Sequence, residues 1–411
     1  MNYYAWIVLS ALLLGYLLDV VSTHLNVGAM PKTPPAPFAD LIDEQGCLRA
    51  RRYAQDKARL GLVAATVDLI ALLTWWWWGG FQFLDVWVRS FGYQEVTTGV
   101  IYLAILMFLG RLLSLPFSLY GTFVIEERYG FNRTTTKTYL LDLMKGLILA
   151  VLLGGPLMAG VLWFFGYTGS DAWLYCWAGT TVFLLLIQYI APVWLMPLFN
   201  RFTPLADGAL KTAVLAYADR VNFRVADIYE VDGSRRSAKA NAFFTGFGKS
   251  RRIALFDTLI KNHSIPELVA VLAHEVGHQK KKHILQSLIF GLLHMGLMFY
   301  LLSIFLTDKA LFEAFNMEQI SIYGGLTFFS LLLTPLDLLL GPILKWISRK
   351  NEFQADRFAV ETIPDRSALV EALKKLSIDT LSNLTPHPFY VILNNSHPPL
   401  IERIGAINRV K

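Results

Sequence analysis

The sequence predicts a mainly α-helical membrane protein, with seven transmembrane helices joined to one polar unit of mixed helix and strand. Three observations lead there. Of 411 residues, 55% are hydrophobic, 14% aromatic and 17% charged, and the mean hydropathy is +0.45, unlike an ordinary globular chain. Seven apolar segments approach the roughly 20 residues that a helix needs to cross a bilayer. A single polar connection, residues 199–283, is long enough to fold as a unit.

The apolar segments cover 4–21, 60–79, 97–119, 145–166, 173–198, 284–305 and 324–346. The first has no basic n-region and no small-residue cleavage site, so it reads as a retained span. Between the first two, Met30-Pro-Lys-Thr-Pro-Pro-Ala-Pro37 and the cluster Arg49, Arg51, Arg52, Lys57 and Arg59 read as a linker with a helical end. Trp75 to Trp78 close the second segment, where an aromatic belt meets the membrane surface. The first, third and fifth connections and the C-terminal tail are rich in Lys and Arg. The second and sixth carry Arg89 and Lys309, and the fourth carries none. By the positive-inside rule the N-terminus lies outside and the tail in the cytoplasm, which an odd number of spans requires.

The resulting organisation is 1–198 for spans one to five, 199–283 for a cytoplasmic unit, 284–346 for spans six and seven, and 347–411 for a cytoplasmic C-terminal part. Asp19, Asp68, Arg111, His294 and Asp337 fall in or near spans and point to a hydrated interior, because lipid exposure of such groups is costly. A proton relay or transporter is the alternative, but these residues are scattered and no broken-helix pair is evident. A net charge of +6 and a pI of about 9.1 could suggest nucleic acid, yet the basic residues flank apolar spans and suit anionic lipid better. Cys47 and Cys176 are too few for a disulfide framework.

In the polar unit, Ala206 to Asn222 has a helical pattern, while Ile228 to Val231 and Ala242 to Phe256 read as strands around a turn at 246–252. Gly248-Lys249-Ser250 imitates the end of a phosphate loop, but Phe243 stands where that pattern needs glycine, so nucleotide binding is rejected. Asn241, Ala242 and Phe243 open a hairpin whose first strand can serve as an exposed edge and pair with an extended peptide.

The stretch Val269-Ala-Val-Leu-Ala-His274-Glu275-Val-Gly-His278 carries the chemistry. Two imidazoles four residues apart share one helix face and can hold one Zn²⁺, and Glu275 between them can accept a proton from water at the metal. Ser264 and Glu267 read as a capping box, with Pro266 in the first turn. A chance match, with ordinary surface histidines, is the plainer reading, and the capped helix weighs against it. Such sites add a carboxylate ligand, for which Glu352 is best placed. Asp356, one turn further, can accept the second N–H of a ligating histidine. His278 precedes the sixth segment by six residues, about 9 Å of helix, which places the metal near the lipid surface.

Beyond these residues the chain resembles the Ste24-type CAAX prenyl proteases, integral-membrane zinc metallopeptidases, over nearly its whole length. The matching stretches are Ile125-Glu-Glu-Arg-Tyr-Gly-Phe-Asn132, Pro197-Leu-Phe-Asn200, Asn241-Ala-Phe-Phe-Thr-Gly246, Arg252-Ile-Ala-Leu-Phe-Asp257 and His274 to His278. They continue with Asn351-Glu-Phe-Gln-Ala-Asp356 and Ser396-His-Pro-Pro-Leu400 with Arg403. The resemblance implies seven helices around a large hydrated chamber, closed on the cytoplasmic side by a zincin-like α+β metalloprotease domain. It implies one zinc held by His274, His278 and Glu352, with Glu275 as base. Asn241, His397 and Arg403 match positions that contact substrate, and His397 is suited to steady the oxyanion. The expected partners are membrane lipids and peptide or membrane-associated protein substrates, including C-terminally lipidated ones. A quality-control protease for membrane proteins is the rival within the same chemistry, and a transporter with a structural zinc is the rival outside it. The first polar connection and the sixth loop are shorter than expected of eukaryotic members and no dilysine-type tail is visible, so a bacterial inner-membrane protein is expected.

Overall fold

The computed structural model describes residues 2–245 and 252–410, so all but the last residue of the turn expected over 246–252 lies outside the described residues. Helices α1 (Tyr3–Gly28) and α2 (Glu44–Trp77) begin at Asn2 and Asp43, whose side chains accept from the amides of Ala5 and Gly46. After the short α3 (Gly80–Arg89), α4 (Glu95–Tyr120) runs on through a π-turn at Gly121–Glu126. Another at Ala150–Gly154 joins α5 (Thr136–Leu149) to α6 (Gly155–Tyr167), and a third at Ala191–Leu195 extends α7 (Ala172–Ile190). Each lies within two turns of Pro116, Pro156 or Pro192, whose missing N–H interrupts the helical ladder.

The polar unit follows with β1 (Phe202–Pro204), α8 (Ala209–Arg220), β2 (Asp227–Val231), β3 (Ala242–Thr245), β4 (Arg252–Phe256), α9 (Asp257–Asn262) and α10 (Ile265–Lys280). The sheet order is β1-β2-β4-β3, with β2 and β4 parallel and both outer strands antiparallel. The middle of β4, Ile253 to Leu255, is apolar and buried, whereas β2 buries Ile228 and Val231 and leaves Asp227 exposed. Ile228, Ile253 and Leu255 join Tyr217, Leu268, Leu272 and Val276 in one buried core. β3 is an edge strand.

The chain re-enters the helical bundle with α11 (His283–Phe305), then α12 (Lys309–Ala314), α13 (Ile322–Leu332) and α14 (Thr334–Thr362). α13 and α14 meet at 53°, where Pro335 cannot continue the preceding ladder. Among the described residues six helical runs are long and apolar enough to cross a membrane, and counting this bent pair as one span makes seven. The chain ends with α15 (Ser367–Asp379), α16 (Pro388–Asn394) and α17 (Leu400–Arg409). It is thus a mainly α, multi-pass membrane protein with a mixed α/β domain.

Several features depart from expectation. Helices overrun their apolar segments because Arg, Lys and Glu are good helix formers outside lipid. α2 starts at Glu44, and α14 carries Glu352 on the same rod as the last span. α3 and α12 fill connections that read as plain loops, and they bury Phe81, Leu311 and Phe312 with Phe328 in one apolar cluster. Trp76 belongs to that core rather than to an interfacial belt. It stacks on Phe315 at 4.6 Å and donates to the Ala314 carbonyl at 2.7 Å, while Trp78 is 86% exposed.

The polar unit is bolted to the ends of the membrane helices by two polar clusters. Arg236 forks onto Asp142 of α5 at 2.8 and 3.0 Å and reaches Asn200 at 2.8 Å. Lys239 binds Glu126 and the Tyr53 hydroxyl, both at 2.8 Å, and lies 4.4 Å from the Phe131 ring centroid. A planar guanidinium holding a carboxylate by two parallel bonds fixes orientation as well as distance. Strand β3 starts three residues after Lys239, so its position is set by these anchors.

Candidate metal centre

α10 starts where the sequence puts it. Both halves of the Ser264/Glu267 capping box are formed, with the Ser264 amide 2.9 Å from Glu267 Oε2, and Lys375 holds the other carboxylate oxygen at 2.6 Å. The helix then packs on α14 at very short range. A Cβ on Gly277 would stand 3.0 Å from both the Cα and the carbonyl oxygen of Ala355, so only glycine fits between the two backbones. That approach brings Glu352 onto the histidine face of α10.

The three expected ligands converge. His274 Nε2 and His278 Nε2 are 3.2 Å apart, Glu352 Oε2 is 3.4 Å from the first, and Glu352 Oε1 is 3.3 Å from the second. Glu352 is buried and, among the described residues, its Oε2 has no hydrogen-bond partner, an orphaned charge-bearing oxygen of the kind a cation satisfies. Two imidazole nitrogens and one carboxylate are the donor set of a zinc site with an open position, so the residues present fit that ion.

Asp356 lies where expected, with Oδ1 2.9 Å from His274 Nδ1, which leaves Nε2 for the metal. Burial disfavours a charged His274, but the Asp356 carboxylate and then that of Glu352 outweigh it and lift the pKa to about 9. A metal held there would displace that proton. Glu275 is half-buried beside the ligands and makes no hydrogen bond among the described residues. Burial, opposed by His274 and His278, holds its carboxyl above the ordinary value. His397 Nε2 is 3.4 Å from Glu352 Oε1, and 64% of its side chain is open to solvent. Arg349 of α14 donates to the carbonyls of Val391 and Asn395 at 2.9 and 2.7 Å and so holds the loop that presents His397.

Arg403 is buried beside the cluster. Its guanidinium forks onto Asp356 at 2.8 and 2.7 Å, and Nη1 is 3.6 Å from Glu352 Oε2. It offsets two buried carboxylates, which would otherwise repel each other. Asn241, Ala242 and Phe243 are not in the ligand cluster; no hydrogen bond or ion pair links them to it among the described residues. They form the start of the sheet edge, where Asn241 Oδ1 accepts from the Ala242 amide at 2.9 Å.

Two contributors escape a reading of spacing alone. Gly277 has no ligand or base character of its own, and its part in bringing α10 against α14 shows only in the packing. His283 lies 3.1 Å from His278 through their Nδ1 atoms, although it opens the next helix and shares no periodic face with the motif.

Comparison with known proteins agrees with this geometry. Residues 24–201 match the family model "CAAX prenyl protease N-terminal, five membrane helices", and residues 204–411 match "Peptidase family M48". The chain is 34% identical to CAAX prenyl protease 1 of Saccharomyces cerevisiae, covering 92% of this chain and 89% of that one. It is 35% identical to a CAAX prenyl protease 1 homolog of Arabidopsis thaliana (94% and 92%) and 30% to one of Homo sapiens (92% and 89%). The crystal structure of S. mikatae Ste24p superposes with a TM-score of 0.93 at 32% identity, covering 99% of this chain and 100% of that one. These relatives are eukaryotic, so the bacterial membership expected from the short loops finds no support in them. With both halves matched in order and a His/His/Glu cluster within the second, the chain belongs to the M48 peptidases, in the Ste24-type CAAX prenyl protease family of membrane metalloproteases.

Proposed function

We propose that the protein is a zinc-dependent endopeptidase that cleaves peptide bonds of membrane-associated substrates, C-terminally lipidated CAAX-type chains among them. The observation that carries this reading is the convergence of His274, His278 and Glu352 around the orphaned Glu352 Oε2, with the unbonded Glu275 carboxylate beside them. A zinc ion held there supplies Lewis acidity, polarising the scissile carbonyl and acidifying the attacking water. Glu275 accepts the proton from that water and returns it to the leaving amine, and its raised pKa suits both halves of the transfer. His397, open to solvent on the same side as Glu352 Oε1, donates to the developing oxyanion. Asp356 and Arg403 hold the ligands from behind.

The β3 edge is assigned to the substrate backbone. The register pairs Ala242 with Leu255, and the Phe256 amide donates to the Asn241 carbonyl at 3.0 Å. Bonding alternates along an antiparallel ladder, so Asn241 and Phe243 face β4 while the Ala242 amide faces outward, where a peptide carbonyl would take the place of Asn241 Oδ1. That outward row can pair with an extended peptide of many sequences. In this reading 199–283 and 347–411 form the peptidase part, and 1–198 with 284–346 form a membrane part around a hydrated chamber. The exposure of the mid-span residues Asp68, Arg111 and Asp337 supports the chamber.

The peptidase part is assigned to the cytoplasm from the loop charges. Reporters fused after Asn200 and at Lys411 should read cytoplasmic and one within 90–94 external; the opposite result would invert the topology. The chemical test uses purified protein, its zinc content and a farnesylated CAAX peptide. Glu275→Gln should retain stoichiometric zinc and lose hydrolysis, and substantial residual turnover would remove Glu275 from its role.

A further inference from the structure

His283 lies outside the motif, outside the ligand set and outside every role given so far, yet it is buried against the metal centre. α10 ends at Lys280, and only two residues separate it from α11, which starts at His283. Lys282 between them adopts a left-handed backbone, φ 60°, an uncommon conformation for a residue with a side chain. The reversal turns the first side chain of α11 back under the last turn of α10. His283 Nδ1 comes to 3.1 Å from His278 Nδ1, and His283 Nε2 to 3.1 Å from Gln354 Oε1 on α14.

We infer that His283 is a positioning residue that, set by Gln354, selects the metal-binding tautomer of His278. The logic is a chain of donors and acceptors. His278 points Nε2 at His274 and Glu352, so that nitrogen must keep its lone pair for a metal and Nδ1 must carry the proton. The Nδ1 proton needs an acceptor, and His283 Nδ1 serves only if His283 is protonated on Nε2. The carbonyl oxygen of Gln354 accepts that second proton and selects this tautomer. The opposite sense would place a proton on His278 Nε2 and close the site. His278 therefore receives from His283 what His274 receives from Asp356, with the difference that this arm adds no negative charge. A second carboxylate on this side would join Glu352, Glu275 and Asp356 in one small volume, where a neutral imidazole relay orients the ligand without further like-charge repulsion. Gln354 sits two residues from Glu352 on the same helix, so the third ligand and the last member of the relay move together.

The inference rests on the reading of His274, His278 and Glu352 as zinc ligands, and zinc affinity tests the two separately. Full-length protein in detergent is titrated with zinc against a competing chelator, and thermal unfolding of the metal-free form is followed in parallel. Wild type should bind one zinc; failure to do so overturns the ligand assignment itself. His283→Leu should weaken zinc by roughly 10–100-fold, the usual cost of losing a partner behind a ligating histidine. His283→Asn, whose Oδ1 can accept where Nδ1 did, should stay close to wild type. Gln354 is exposed and can be changed with little risk to folding, so Gln354→Leu should weaken zinc in the same direction while Gln354→Glu, which keeps an acceptor, should not. If His283→Leu does not fold, this second pair decides alone. Equal zinc affinity in wild type, His283→Leu and Gln354→Leu overturns the inference. So does a His283→Asn variant as weak as His283→Leu when both unfold, metal-free, at the wild-type temperature.

Discussion

Gly277→Ala isolates the closeness of the two ligand-bearing helices. The added Cβ meets two backbone atoms of Ala355 at 3.0 Å and the Phe358 Cβ at 3.3 Å. Backbone cannot swing aside as a flexible side chain does, so α10 and α14 must part by several tenths of an ångström. Overpacking of this kind costs about 1–3 kcal/mol. Alanine recovers about 1 kcal/mol of helix propensity over glycine, leaving a net loss of roughly 0–2 kcal/mol. The effect on the metal is larger in proportion, since ligand distances tolerate only about 0.2 Å. His274 and His278 stand on one of the parting helices and Glu352 on the other, so zinc affinity should fall by about tenfold or more, in the range seen when ligand supports are lost. Gly291→Ala in α11 is the control, because its Cβ would meet nothing within 4 Å. Differential scanning fluorimetry and chelator competition on both variants give the measurement. Unchanged zinc affinity in Gly277→Ala, or an equal fall in Gly291→Ala, would refute the argument that close approach of the backbones sets the site.

Two further outcomes follow from the same geometry. Glu352→Ala should lose stoichiometric zinc and become less thermally stable than wild type in zinc-containing buffer, because metal binds the folded state alone; retained zinc would place the third ligand elsewhere. Ala242→Pro removes an outward amide and no β3–β4 bond, so peptide cleavage should fall by at least several-fold with zinc content intact, and unchanged cleavage would dismiss the docking strand.

The parts of this molecule legible from sequence are those that periodicity and local chemistry encode. Spans show as apolar length, and the start of α10 shows as Ser264, Pro266 and Glu267 within four residues. His274 and His278 show as neighbours on one helical face. Glu352 was accessible because a zinc site demands a carboxylate and few acidic residues lie near a span end. What stayed hidden depends on where elements meet. Arg403 is distant in sequence from Asp356, and nothing local says that its charge is consumed in the interior. Trp76 reads as a membrane-surface residue until α12 is known to cover it. His283 follows three lysines and reads as part of a charged helix end. Its meaning arises only from the left-handed turn at Lys282, a conformation that no glycine announces.

The continuity of α14 gives the active site a mechanical connection to the bilayer. From the bend at Pro335 the helix rises about 26 Å to Glu352. A lever of that length turns a 5° change of tilt into a displacement of roughly 2 Å at its tip, far more than the coordination geometry tolerates. Spanning helices answer a mismatch in hydrophobic thickness chiefly by tilting. A bilayer that tilted α14 would strain the proposed third ligand, so zinc affinity should differ between lipids of different acyl length.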